Sequence, residues 1–353
     1  MTKAAQIRYA HLWLPGYLRS FRATRHDRPH TMWVAITDHY EPFWSGANED
    51  KAQARVDLWR QKWPQIAARQ SDSLGRPPCY TFFYAEEHYR PAFLDSLAEM
   101  VREGIADVEV HLHHDGETAQ AFVDRLGGFT QTLYSRHGLL RKNDQGLVAF
   151  GFIHGDWALD NSRPDGRFCG LNHELTLLRD LGCYADFTLP SAPGPTQTRM
   201  VNEIYWATDD PQRPKSHDTG VPVTPGGPRT GDLLMIPGPL GLDWNARRWL
   251  PRLETGELAS YHRPSPERAA LWLRLAPRVG GHIFLKLFTH GTQESHSQAL
   301  LGGDLDLTLE CIRKQCELHG IRLCFVSAYQ MSLSVEAVRQ QVDPLLAHAG
   351  SSR

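Results

Sequence analysis

An α/β protein whose parallel strands close into a barrel is the fold this sequence predicts, on three observations. Short β-rich apolar runs recur along nearly the whole chain, with amphipathic helical patterns between several of them. Roughly six to eight such strand–helix units argue for closure rather than an open sheet. Finally, no repeat, low-complexity tract or clean boundary divides the 353 residues, a length that an α/β barrel uses as one domain.

The candidate strands, in order, are Met32–Thr37, Tyr80–Ala85, Val108–His111, Val148–Ile153, Tyr184–Thr188, Leu233–Ile236, His282–Phe288 and Arg322–Ser327. Between them, Phe93, Leu94, Leu97, Met100 and Val101 share one helical face stopped by Gly104. Leu175, Leu178 and Leu181 repeat that pattern before Gly182. Ser265-Pro266-Glu267 has the capping hydroxyl, first-turn proline and acid of a helix start. Leu305, Leu309, Ile312 and Cys316 mark a helix ending near Gly320. One stretch breaks the rhythm: Pro190 to Gly231 is rich in proline and glycine, with Ile204–Thr208 as a short strand at its centre. A loop of that length in a compact domain reads as a lid or binding excursion. The expected organisation is an N-terminal strap over 1–30, a single barrel over 31–330 that includes excursion 190–231, and a C-terminal helix and tail over 331–353.

Composition removes several function classes. The net charge of −2, from 38 basic and 40 acidic residues, leaves no overall footprint for nucleic acid or a membrane surface. The arginines Arg19, Arg22, Arg25 and Arg28 read as a solvated strap. Six cysteines without a CxxC pair argue for reduced, mostly buried thiols rather than a zinc ribbon or a disulfide scaffold. Neither a signal peptide nor a membrane-length apolar run is visible, so the expected address is the cytoplasm. The 18 histidines are the compositional oddity.

Those histidines, with aspartates, gather where strands end. The third strand runs into His111-Leu112-His113-His114-Asp115, imidazoles and a carboxylate suited to a divalent metal. His111 and His113 share a face if the strand continues, and His111 and Asp115 converge if the chain turns at Leu112. The first strand ends Asp38-His39-Tyr40-Glu41, which offers a general base, a metal ligand and a supporting acid. The fourth gives His154-Gly155-Asp156-Trp157, then Arg163, an acid beside an indole as in sugar recognition. His290 directly follows the late strand, in the position of a catalytic acid. The sequence holds no GxSxG elbow, GxxxxGK[ST] loop, HExxH or GxGxxG after the first strand, which weakens serine hydrolase, nucleotide hydrolase, zincin and dinucleotide-binding readings.

Taken together, these segments resemble the polysaccharide deacetylase superfamily, the NodB-like carbohydrate esterases, through short motifs in order from about Met32 to Phe325. Thr37-Asp38-His39 is similar to the family's first acidic pair, with His39 in its second place. His111 with Asp115 four residues later is similar to its His-x3-His motif, with His113 between. Asn172-His173-Glu174-Leu175 leading to Leu181–Asp186 is similar to its helix and following strand, and Phe288-Thr289-His290 to its last motif. Arg163 and Arg167 are candidates for the family's base-orienting arginine. The resemblance implies a distorted seven-stranded (β/α) barrel and one divalent metal, zinc foremost, held by one acid and two imidazoles. His39, His111 and either Asp115 or His113 would hold it. Asp38 would act as base, His290 as acid, and His154, Asp156, Trp157 and Arg163 would meet a carbohydrate substrate. The expected reaction is hydrolysis of an N-acetylated sugar or related amide. Rival expectations are an amidohydrolase or PHP-type phosphoesterase, which share His-x-His, and a glycan-binding or assembly protein without turnover.

Overall fold

The computed structural model describes residues 9–22, 27–246 and 249–349; Arg25 and the tail beyond 349 fall outside them. Among the described residues fourteen strands succeed one another: β1 Thr31–Tyr40, β2 Tyr80–Ala85, β3 Ala106–Leu112, β4 Arg141–Lys142, β5 Val148–His154, β6 Cys183–Asp186, β7 Tyr205–Ala207, β8 Val221–Pro222, β9 Leu233–Met235, β10 Gly241–Asp243, β11 Arg252–Glu254, β12 Arg278–Val279, β13 His282–Thr289 and β14 Arg322–Phe325. The helices are α1 Ala10–Arg22, α2 Glu49–Ala67, α3 Pro91–Arg102, α4 Ala119–Ser135, α5 Glu174–Asp180, α6 Pro266–Leu275, α7 Glu294–Ala299, α8 Leu305–His319, α9 Ala328–Arg339 and α10 Pro344–Ala349.

Twelve strands form one mostly parallel sheet in the order β12-β13-β1-β2-β3-β5-β6-β9-β7-β8, with β14 also pairing β1 and β4 pairing β5. Its parallel members, β1, β2, β3, β5, β6, β9, β13 and β14, fall on the eight strands the sequence predicts, with β6, β9 and β14 ending one or two residues earlier than expected. The short strand expected in the proline-rich excursion is β7, laid antiparallel on β9. The strands β4, β8, β10, β11 and β12, two or three residues each, carry no period-2 pattern and were not expected.

The alternation of side chains sorts each strand into two cores. Met32, Val34, Ile36 and Tyr40 of β1 lie in an outer core with Trp59 and Trp63 of α2 and Leu97 of α3. Trp33 and Ala35 lie in an inner core with Phe83, Ile153, Phe284 and, from α9, Met331 and Val335. Because both faces are covered, all ten residues of β1 are buried, as expected for parallel strands between layers. Full burial of such apolar side chains contributes roughly 1.5–3 kcal/mol each. A third, smaller core seats α1 through Trp13 and Tyr17 against Val201, Leu240 and Leu271.

The sheet also curls. Lys286 of β13, fully buried on the inner side, donates to the carbonyls of Phe187 and Leu189 at 2.7 Å each, beyond the end of β6. No strand ladder joins β13 to β9 among the described residues. Helix boundaries follow local chemistry: Ser265 accepts the Arg268 N–H at the start of α6, and Gly320 takes a left-handed φ of 65° at the end of α8. No described helix is long and apolar enough to cross a membrane.

Candidate metal centre at the carboxyl ends of the strands

Parallel strands bring their carboxyl ends to one rim, and the inward residues there are His39 of β1, His111 of β3 and, just beyond the strands, Glu41, His113 and His290. Glu41, His111 and His113 each offer one ligand atom, and these atoms lie within 4.8 Å of one another.

The protons show why this group fits a cation. His111 Nδ1 lies 2.8 Å from the Ile153 carbonyl, which can only accept, so the ring proton sits on Nδ1. That leaves the neutral ring's Nε2 lone pair facing Glu41 Oε1 at 3.3 Å, two acceptors aimed at one another. His113 is held in a similar way, its Nδ1 meeting the Glu87 carboxylate and its Nε2 3.9 Å from Glu41 Oε1; burial works to lower this ring, but the Glu87 hydrogen bond and the charges of Glu87 and Glu41 raise it, so a cation would have to displace a proton here. A metal-bound imidazole commonly has its other nitrogen held in this way. Beside them the His39 Nε2 is buried with no hydrogen-bond partner, its ring 5.1 Å from that of His111 and 4.6 Å from that of His290. A divalent ion would answer all of these lone pairs, so the residues fit one.

The neighbours tune the site. Burial works to raise the Glu87 carboxyl, but the hydrogen bond and charge of His113 outweigh it and bring it to about 2. Arg125 holds this rim, donating to Glu86 and to the His113 carbonyl at 2.6 and 3.0 Å. Burial lowers His290 to about 4, against the pull of Glu41, so its imidazole is neutral at pH 7. Gly155 is required where it stands, because a Cβ there would collide with the His113 ring. Trp157 closes one side, its ring 5.5 Å from His39 and 5.6 Å from His290.

Several expected site residues stand elsewhere. Asp38 shares the parity of Val34 and Ile36 and points to the helix layer, away from His39. There its carboxylate accepts the Gly291 N–H at 2.7 Å and the Tyr80 hydroxyl at 2.9 Å, so it does not face the rim as a base must. With Trp59 Nε1 bound to the Gly291 carbonyl at 2.8 Å, it fixes the turn that carries His290. Asp115 is exposed and accepts the Phe168 N–H at 2.8 Å; the chain continues straight enough for His113 to join His111 instead. His154 has the opposite parity to Ile153 and is wholly buried, so it cannot meet a substrate. Arg163 is paired with Asp165 at 2.7 Å and stacked on Phe168. Asp156 is exposed beside Trp157, near the rim.

Glu87 was not foreseen, since an acid pair after a strand looks like any solvated turn; its one signal is that it lies two residues beyond β2. A further acid-and-histidine group, Asp243, Glu254 and His262, is already answered by Arg268, which donates to both Glu254 oxygens at 2.7 and 3.0 Å. No protein-family model matches the chain, and no curated protein matches its sequence.

Proposed function

We propose that this chain is a metal-dependent hydrolase of the deacetylase type, cleaving the amide of an N-acetylated sugar or a related acylated amine. The observation that carries the reading is the pair of imidazoles, His111 and His113, each with Nδ1 held by an acceptor and Nε2 turned toward Glu41. The barrel reading belongs with it: β1, β2, β3, β5, β6, β9 and β13 would be seven staves, with Lys286 bridging the seam.

Glu41, His111 and His113 would hold the ion, zinc being the best match to two imidazoles and one carboxylate, with His39 beside them. A zinc ion there would supply Lewis-acid polarisation of the scissile carbonyl. His290, neutral and at the rim, takes a proton from the attacking water and returns it to the departing nitrogen as the C–N bond breaks. Glu257, 3.8 Å from His290 Nδ1, steadies the imidazolium in between. Trp157 presents an indole to sugar C–H groups, and Asp156 lies next to it to accept a hydroxyl proton. This assignment moves the base from Asp38 to His290, because His290 faces the rim and Asp38 does not.

The His-x-His pairing also favours a second reading, an amidohydrolase or PHP-type phosphoesterase, in which the same ligands would serve a phosphate ester. Untagged protein, purified without chelator, is assayed for acetate release from N-acetylated sugars and phosphate release from simple esters, beside Glu41→Gln. Acetate release lost in the variant supports the deacetylase reading, and phosphate release supports the second. Sugar binding with neither product sinks both and leaves a glycan-binding role.

A further inference from the structure

We propose that His114, His154, Cys169 and Glu174 form a second, closed zinc site on the helix-covered face of the sheet, behind the rim. All four are buried and lie within 4.8 Å of one another through one ligand atom each. They come from four places: His114 beyond β3, His154 at the end of β5, Cys169 in the following loop and Glu174 at the first residue of α5.

The protons again decide. His154 Nδ1 lies 2.6 Å from the Gly155 carbonyl and must donate to it, which turns an Nε2 lone pair inward. That lone pair stands 2.9 Å from His114 Nε2 and 3.4 Å from Glu174 Oε1, and His114 Nε2 is 3.1 Å from the same oxygen. Three acceptor-capable atoms thus share a triangle that a single ring proton on His114 would have to serve. His114 Nδ1 is buried with no partner whichever ring nitrogen carries the proton, so the triangle of Nε2 and Oε1 atoms is what points to a cation.

Sulfur completes the set. Cys169 Sγ is 3.3 Å from Glu174 Oε2 and receives the N–H groups of Asn161 and Leu171 at 3.2 and 3.4 Å. The sulfur stands as a thiol with its S–H toward Glu174 Oε2, because burial and the Glu174 charge push the thiol up, and a cation would take the place of that proton. Two imidazoles, a thiolate and a carboxylate make a tetrahedral zinc set, and closure on all sides marks a structural site rather than a catalytic one. Tetrahedral zinc holds its nitrogens about 3.3 Å apart, so binding spreads the two rings by a few tenths of an ångström. On binding, the Cys169 S–H bond breaks, its proton leaves to solvent and an S–Zn bond forms.

The ion would have work to do. Residues 155–173 contain five non-glycine residues at positive φ, Asp156, Trp157, Asp160, Asn161 and Phe168, and only isolated helical turns. Glu174 already binds the Asp160 N–H at 2.6 Å. A zinc at this point pins the loop that carries Trp157 to both β3 and β5.

The test uses untagged full-length protein purified without chelator. Zinc is measured in the wild type, His111→Ala, Cys169→Ser and Glu174→Gln, and cobalt is exchanged into the wild type. The expected result is about two equivalents of zinc in the wild type and about one in each variant, His111→Ala losing the rim ion and Cys169→Ser and Glu174→Gln losing this one. Cobalt in the wild type should show a near-ultraviolet thiolate charge-transfer band. Absence of that band, which needs no variant to fold, overturns the proposal, as does undiminished zinc in a folded Cys169→Ser. Zinc lost only with Cys169 or Glu174, and never with His111, would leave this site standing while the hydrolase reading fails.

Discussion

Two ligand groups stand back to back at the carboxyl ends of β3 and β5, and they differ in what covers them. The inner group, Glu41, His111 and His113, has half-open members at the rim, whereas the outer group, His114, His154, Cys169 and Glu174, is buried throughout. Both use an imidazole whose Nδ1 is held by a backbone carbonyl, Ile153 in one case and Gly155 in the other. A one-residue step along a strand therefore separates a group open at the rim, where the proposed reaction would take place, from a closed one that under our proposal would only hold structure. The lesson is that residue type chose the chemistry and strand parity chose the use.

The comparison can be broken most directly through His111. Replacing it with Ala should cut turnover about a thousandfold, the loss of several kcal/mol of Lewis-acid stabilisation, while the melting temperature stays near that of the wild type. A variant that unfolds instead would make the inner group structural as well. The outer group should answer the opposite way. Glu174→Ala should destabilise the fold by about 3–5 kcal/mol, since it strips the carboxylate from buried, polar partners, yet leave turnover per folded molecule within a few-fold. Urea unfolding beside an active-fraction assay reads both quantities.

His290→Gln sharpens the inner side further. We expect kcat to fall about a hundredfold. In the wild type kcat/KM should drop as pH falls through about 4, where the neutral imidazole takes up a proton, and the variant should lack that limb. Asp38→Asn makes the smallest change. Turnover should stay within about tenfold, because the group supports the His290 turn and takes no proton from water. Its stability signature is distinctive: burial raises the Asp38 carboxyl from 3.8 to about 7, against the hydrogen bonds from Gly291 and Tyr80. Between those values the unfolded chain has lost the proton and the folded chain still holds it, so stability falls with rising pH. The slope is at most about 1.4 kcal/mol per pH unit, and Asp38→Asn should remove it. A turnover loss as deep as that of His111→Ala would return Asp38 to the role of base.

Much of this architecture was legible beforehand. The eight parallel strands announce themselves because a strand buried on both faces must be largely apolar, and Ser265, Gly104 and Gly320 mark helix ends by local chemistry alone. Helices α2 and α4 were harder, with Pro64 in the first and the glycine pair Gly127-Gly128 in the second weakening the periodic signal. Within the site, the clustering of His111, His113 and His114 and the position of His290 could be seen, but not the partition between faces.

By itself, then, the sequence determined the α/β class, the order of the parallel strands and the crowding of imidazoles at their ends, because burial and turn chemistry act over a few residues. Only the tertiary structure decided that Asp38 looks away from His39, that Glu87 reaches His113 across two strands, and that Cys169 and Glu174 close around His114 and His154. Those contacts join residues tens of positions apart, and a ligand set is a matter of ångströms between side chains that local pattern does not encode.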